Sequence, residues 1–344
     1  MPTYLSKIYM VPIDLIGWFN YWKIVNFGPK SEVIVLKNRI VMPHRWTGPN
    51  SIRMGSYDSA GKMDAQTGLH RRYDPLRLYR LGIPHPEVHQ PSDQFERGIY
   101  AGPLLPAYGH FILESLARLW ATAEYPDWPI IFSVDERTNA ATLKPWMREL
   151  LTVLGVLNPV ILITRPTWID QLLVPAPGYE IQYRFAKHHA SFLGRVEWRP
   201  TAGKKLWVSR ANLATNAASC DGRAEMEAAL LSDGWQIMHP QSLSIEEQLD
   251  HFATAERVAG EQGSALHNII FLRSALGLRL DAFARDPMLT GHRINHNQAT
   301  ICTHRHVEYR LHRITQEVVL SRNGAHMGKK YAQPDVYLSH LNNP

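Results

Sequence analysis

"RVAGEQGSALHNIIFL", Arg257 to Leu272, joins an apolar strand-like run to an apolar helix-like run through Gly260, Gly263 and Ser264. A strand, a glycine turn and a helix start in that order make one half of an α/β unit, and Ser264 is the expected N-cap. The turn leaves backbone N–H groups unpaired at the positive end of a helix dipole, which is a general site for anions. Every α/β unit contains such a turn, so it points to the fold class while leaving its use open.

Similar units lie on both sides. Upstream, "KKLWVSR" (Lys204–Arg210) reads as a strand, Ala224–Leu231 as a helix, "WQIMHP" (Trp235–Pro240) as a strand and Ser244–Ala255 as a helix opened by the capping box of Ser244 and Glu247. Downstream, "LGLRLDAF" (Leu276–Phe283) reads as a further strand. An earlier series consists of a helix over "YGHFILESLARLWATAE" (Tyr108–Glu124), a strand over "WPIIFSV" (Trp128–Val134), a helix over Leu143–Leu154, a strand over "PVILIT" (Pro159–Thr164) and the run "QLLVPAPG". The first hundred residues read as short strands and turns. "EVIVLKNRIVMP" (Glu32–Pro43) looks like two β-rich runs around Lys37–Arg39, and Gly48–Gly68 reads as loop. The stretch Tyr183–Gly203, rich in His, Arg and Pro, is the candidate linker. An α/β chain with two Rossmann-like domains, 1–200 and 201–344, is the expectation.

A chain of 344 residues, 45% apolar, has room for two ordinary cores. Its two cysteines, Cys220 and Cys302, cannot build a disulfide framework, which fits a reducing, cytoplasmic compartment. Pro2, Lys7, Pro12 and Asp14 interrupt the apolar start, so neither a signal peptide nor a transmembrane segment is expected. The net charge of +6 attracts anionic partners, and a nucleic-acid reading rests on that charge alone. The basic clusters "HRRYDPLRLYR" (His70–Arg80) and "HRHVEYRLHR" (His304–Arg313) read as solvated faces of ordinary elements.

Several constellations could carry chemistry. His110 and Glu114 stand four apart on the first helix, about 40° from each other around its axis, with the small Ala117 and Ala121 continuing the stripe. A histidine held by a carboxylate suits a general base, and an ordinary surface pair is the alternative. Arg210 ends a strand, where open α/β sheets bind ligands, and its charged fork suits a diphosphate. His292, His296, Cys302, His304 and His306 lack a closed finger spacing, and "INHNQATI" does not read as helix, so no metal site is expected. No two Asp residues stand two apart, so the Asp-x-Asp pattern that holds a divalent cation on a nucleotide sugar is absent. The G-x-G-x-x-G, P-loop and G-x-S-x-G spacings are absent as well.

"YGHFILESLARLW", "KKLWVSR" and "GWQIMHPQSLSIEEQLDHFATAERVAGEQGSALHNIIFL", in this order, resemble the glycosyltransferase 61 family of capsular-polysaccharide-type and related glycosyltransferases over about Tyr108 to Leu272. The resemblance implies a GT-B-like architecture, two Rossmann-like domains facing across a cleft with the nucleotide sugar mainly on the second. It also implies an inverting, metal-independent sugar transfer with no cofactor. His110 and Glu114 fall on the family's H-x-x-x-[E/D] motif, Arg210 on its [I/V]-S-R motif, and Gly263, Ser264, Leu266 and Asn268 on its H-G-[S/A]-x-L-x-N motif. Two departures stand out. Gln262 replaces the usual His before Gly-Ser, and Gly222-Arg223 stand where the family commonly opens the next helix with Asn-Glu.

The resulting expectation is a cytoplasmic enzyme, peripheral at the inner membrane face, that moves a sugar from a nucleotide diphosphate donor to a glycan acceptor beside other polysaccharide-assembly proteins. His110 or Glu114 would take the acceptor proton. Arg210, Gln262, Gly263, Ser264, His267 and Asn268 would hold the donor. A degenerate, non-catalytic sugar-nucleotide or glycan binding protein is the alternative, motivated by the two departures.

Overall fold

A computed structural model describes residues 32–48, 50–74, 77–80, 82–88, 90–138, 141–211, 220–284, 296–312, 317–320, 327–330 and 333–342. Among them the chain divides between Leu193 and Gly194 into two compact units.

The unit ending at Leu193 is built on a six-stranded sheet in the order Val160–Ile163, Ile130–Ser133, Asp93–Pro103, Thr167–Pro175, Val33–Val41 and Ser56–Tyr57. The first four strands are parallel, Val33–Val41 runs antiparallel to them, and Ser56–Tyr57 pairs antiparallel with Val33–Val41. Asp93–Pro103 pairs with Thr167–Pro175 along its first half and with Ile130–Ser133 along its second. The sheet curls, because His44, beyond the end of Val33–Val41, bridges Asp135 beyond the end of Ile130–Ser133. Val41, Ile52, Tyr100, Ile131, Ile169 and Leu172 fill the core.

"EVIVLKNRIVMP" forms one strand rather than two. Asn38, at φ 55°, takes the left-handed conformation between the pairs Lys37 with Gln171 and Arg39 with Ile169. Asparagine tolerates that conformation, so the two apolar runs stay in one ladder. Gly48–Gly68 likewise holds short strands, Ser51–Arg53 and Ser56–Tyr57. The expected linker contains a helix: Lys187–Leu193 buries His189, Ala190, Phe192 and Leu193. Its histidines hid an apolar face, and His189 packs so closely on Gly178 that a Cβ added there would lie 2.3 Å from the His189 Cβ.

The second unit carries five parallel strands in the order Trp235–Met238, Lys205–Val208, Arg257–Glu261, Arg279–Phe283 and Glu308–His312. Counted along the chain the order is 2-1-3-4-5, a doubly wound sheet whose direction of winding reverses between Lys205–Val208 and Arg257–Glu261. On one face Trp207, Ala259 and Phe283 pack with Met226 and Leu230 of the helix Arg223–Ser232 and with Tyr337 and Leu341 of the helix Pro334–Asn342. Leu206, Val258 and Leu280 alternate to the other face and are fully buried, as a sheet covered on both sides requires.

The helix Ile245–Thr254 opens with the expected capping box, Glu247 N donating to Ser244 Oγ at 3.1 Å and Ser244 N to Glu247 Oε2 at 2.8 Å. "INHNQATI", not expected to be helical, enters the helix His296–Arg305, while His292 lies outside the described residues. Among the described residues no group of His, Cys, Asp or Glu is placed to hold a metal ion, and no helix is long and apolar enough to cross a membrane.

The basic clusters are not simply solvated faces. Arg71 and Arg305 are both buried. Arg305 Nε and Nη2 donate to the Ile270 carbonyl at 2.9 and 2.5 Å, holding the helix His296–Arg305 on its neighbour. In the central sheet Asp281 is fully buried and accepts from His312 Nε2 at 2.7 Å, Arg279 Nε at 2.9 Å and Arg257 Nη2 at 3.2 Å. Burial alone would push the Asp281 carboxyl up, but the hydrogen bond from His312 and the Arg279 charge hold it below the ordinary range.

Candidate functional site

The segment expected as one helix is wound in three ways: a turn of α-helix over Tyr108–His110, a π-turn over Phe111–Ser115 and a 3₁₀ stretch over Leu119–Ala123. The wide π-turn still brings His110 and Glu114 together, with His110 Nδ1 2.6 Å from Glu114 Oε2. An ionised carboxylate only accepts, so Nδ1 carries the proton and donates. Arg71 completes the group from the strand His70–Asp74, its Nε donating to Glu114 Oε1 at 2.6 Å and its Nη2 to Oε2 at 2.7 Å. Arg71 Nη2 also lies 3.3 Å from His110 Nδ1, a contact rather than a hydrogen bond once that nitrogen is protonated. The Arg71 guanidinium sits 5.3 Å from the centre of the Trp46 ring.

Burial divides the roles within this group. The Glu114 side chain is 2% exposed and the His110 side chain 47%. Both oxygens of Glu114 are engaged by Arg71, and one of them by His110 as well. Nε2 of the half-exposed imidazole has no hydrogen-bond partner among the described residues, which leaves it the accessible basic atom.

Two neighbours fix this segment. Ser115, fully buried, donates through Oγ to the Pro103 carbonyl at 2.8 Å and accepts from Leu105 N at 2.9 Å, tying the π-turn to the end of the long strand. Arg118 donates to the carbonyls of Pro175 and, at 2.7 Å, Gln66, and stands 5.6 Å from the centre of the Tyr100 ring. Its burial pushes the guanidinium pKa down. Ala121 is fully buried, and the cavity lined by Ala117, Glu114, Arg118 and Glu180 measures about 20 Å³, room for a single water.

The other group lies in the second unit, at the carboxyl ends of the two strands between which the strand order reverses. Open α/β sheets bind ligands at such a crevice. Arg210 follows Lys205–Val208, and Gln262, Gly263 and Ser264 follow Arg257–Glu261. Gly263 and Arg210 are in close approach, since a Cβ added to Gly263 would lie 2.5 Å from Arg210 Nη1. The turn differs from the expectation: Gly263, with extended backbone, takes the N-cap expected of Ser264, and the following helix Ser264–Phe271 is wound as 3₁₀ with no side-chain cap bond. The first bond of that helix runs from Leu266 N to the Gly263 carbonyl at 3.2 Å, so the N–H groups of Ser264 and Ala265 precede it.

Gln262 donates its backbone N–H to the Phe283 carbonyl at 2.9 Å and is half-buried. His267 and Asn268 are buried below the helix start. His267 Nδ1 donates to Gln298 Oε1 at 2.8 Å, and Asn268 Nδ2 to Gln248 Oε1 at 3.1 Å. These bonds brace the helix against Ile245–Thr254 and His296–Arg305.

Three residues that the sequence reading left out belong to these groups. Arg71 lies outside the family resemblance and inside a cluster read as solvated. Arg223 Nη2 lies 3.2 Å from Glu261 Oε1 at the crevice, and Glu261 Oε2 lies 3.7 Å from Arg210 Nε. Only the unusual Gly222-Arg223 opening signalled any of this.

Two arginines at the reversal of a doubly wound sheet, with a carboxylate-held histidine elsewhere in the chain, suit a group-transfer enzyme of the α/β glycosyltransferase class. Residues 108–278 match the family model of Glycosyltransferase 61. The chain belongs to that family and is a glycosyltransferase. A comparison with curated proteins returns no match.

Proposed function

We propose that the chain transfers a sugar from a nucleotide diphosphate donor to a hydroxyl of a glycan acceptor, with inversion and without a metal ion, in polysaccharide assembly of the capsule type. The observation that supports this most is the close approach of Arg210 to Gly263, at the start of Ser264–Phe271 and at the strand-order reversal. Arg210 and the N–H groups of the helix start would hold the diphosphate, with Gln262 and Ser264 at its edge and His267 and Asn268 bracing the helix. The GT-B organisation belongs to this reading, with the unit ending at Leu193 on the acceptor side and the following unit on the donor side. So do a cytoplasmic location, peripheral at the inner membrane face, and work alongside other polysaccharide-assembly proteins.

In the reaction the acceptor oxygen attacks the anomeric carbon, and the bond from that carbon to the diphosphate oxygen breaks. The electron pair stays on the leaving group, whose growing charge Arg210 and the helix start stabilise. The acceptor proton passes to His110 Nε2. Glu114 is clamped by Arg71 and so orients the imidazole through Nδ1 and steadies the imidazolium that forms. The absence of Asp-x-Asp supports charge neutralisation by protein groups.

A thermal-shift screen of the full chain against nucleotide sugars tests the donor half of the proposal. A donor at a hundred times its Kd stabilises by about 2.7 kcal/mol, and no shift with any nucleotide sugar at millimolar concentration sinks it. Gln262 in place of histidine favours a second reading, a non-catalytic sugar-nucleotide or glycan binder. Donor binding without transfer to any glycan acceptor selects that reading.

A further inference from the structure

The crevice holds a carboxylate among its cations. Glu261, 8% exposed, stands between two arginines, with Oε1 3.2 Å from Arg223 Nη2 and Oε2 3.7 Å from Arg210 Nε. The Arg71 and Glu114 pair closes at 2.6 and 2.7 Å. Contacts of that length are strong charge-assisted hydrogen bonds, whereas the Arg223 hydrogen bond to Glu261 is longer and the Arg210 contact is one of charge alone, so both are the easier to exchange.

Arg223 is placed firmly. It is the first residue of the helix Arg223–Ser232, and its Nη1 donates to the Arg210 carbonyl at 3.4 Å. One turn further on, Glu227 accepts from Ser209 Oγ, so one face of this helix is docked on the loop that follows Lys205–Val208. The guanidinium therefore sits beside Arg210 at the strand-order reversal. The helix opening that departs from the family's Asn-Glu supplies a cation, and the neighbouring strand supplies the acid.

We propose that Arg223 is a second guanidinium ligand of the donor diphosphate beside Arg210, and that the Glu261 carboxylate holds both forks until the diphosphate displaces it. This rests on the nucleotide-sugar reading above. Two arginine forks match the several oxygens of a diphosphate better than one, and Glu261 left beside the bound anion opposes it by like charge. Glu261 thereby tunes donor affinity downward, and Arg223 tunes it upward.

Calorimetric titration of the full chain with inorganic pyrophosphate tests this in the wild type, Arg223→Gln, Arg223→Lys and Glu261→Gln, with the nucleotide-sugar screen run on the same proteins. Arg223→Gln is expected to weaken pyrophosphate binding about tenfold or more, the worth of one good charged contact. Arg223→Lys keeps the charge but not the fork and is expected to fall between. Glu261→Gln is expected to tighten binding at least about threefold, and this arm decides the matter should Arg223→Gln fail to fold. Binding within twofold of wild type in both Arg223→Gln and Glu261→Gln overturns the proposal and leaves the donor reading standing. Pyrophosphate bound by neither the wild type nor Glu261→Gln, while nucleotide sugars still stabilise the wild type, does the same. Pyrophosphate binding that responds to both substitutions, with no nucleotide sugar bound, upholds the two-arginine anion site and removes the donor reading instead.

Discussion

Replacing Arg71 by Met removes the clamp from Glu114 while keeping an apolar stem of similar length. The Arg71 and Glu114 side chains are 8% and 2% exposed, so solvent screens the pair little and the lost partner leaves a buried carboxylate held by His110 alone. Breaking a buried pair from one side costs about 3–5 kcal/mol. A unit of this size loses about 2–4 °C of melting temperature per kcal/mol, so its transition should fall by roughly 6–20 °C. Calorimetry is the assay, with the transitions of the two units followed separately because the whole chain need not melt as one. Arg71→Met with Glu114→Leu removes both charges and should melt above Arg71→Met alone. A shift under about 2 °C for Arg71→Met, or a double variant less stable than either single one, would refute the clamp.

Other consequences are equally concrete. A Cβ at Gly260 would meet the backbone carbonyl of Val208 at 2.8 Å, whereas one at Gly263 would meet the movable end of Arg210. Gly260→Ala should therefore cost about 1–3 kcal/mol of stability, and Gly263→Ala should keep the melting temperature but weaken nucleotide-sugar binding about tenfold; equal effects of the two on melting would contradict this. Burial pushes the His304 imidazole down to about 4. The unfolded chain then binds the extra proton between about pH 6.5 and 4, so stability falls as pH drops through that window, by up to about 3 kcal/mol from this group. Burial lowers His44 as well, which acts in the same direction. Denaturant melts should show His304→Leu losing less over that window than the wild type, and identical slopes would exclude the group. Gln262→His adds a titratable cation near the crevice, so nucleotide-sugar affinity should rise more at pH 6 than at pH 8, and a pH-independent change would count against that placement.

The α/β character was legible in the apolar runs, and the capping box placed the start of Ile245–Thr254 correctly. The 2-1-3-4-5 strand order was not legible, because periodicity reports elements and says little about which strands become neighbours. His110 and Glu114 were found from their spacing, although the π-turn that carries them departs from the helix assumed. Arg71 escaped because its partner lies 43 residues away, and a buried arginine in a basic run looks like a solvated one. Glu261 escaped for a related reason. It ends the strand Arg257–Glu261, and only the docking of Arg223–Ser232 brings the Arg223 cation to it. The helix Lys187–Leu193 was missed because its histidines, one of them fully buried, read as polar.

In the proposed inverting transfer His110, oriented by Glu114, takes the acceptor proton. The most direct test of this role follows the anomeric configuration and rate of product formation by nuclear magnetic resonance, in the wild type and His110→Ala, with a donor chosen from the thermal-shift screen. An inverted product, a rate about 100-fold lower in His110→Ala and an unchanged donor affinity are expected. A retained configuration, or transfer by His110→Ala at the wild-type rate, would contradict this role.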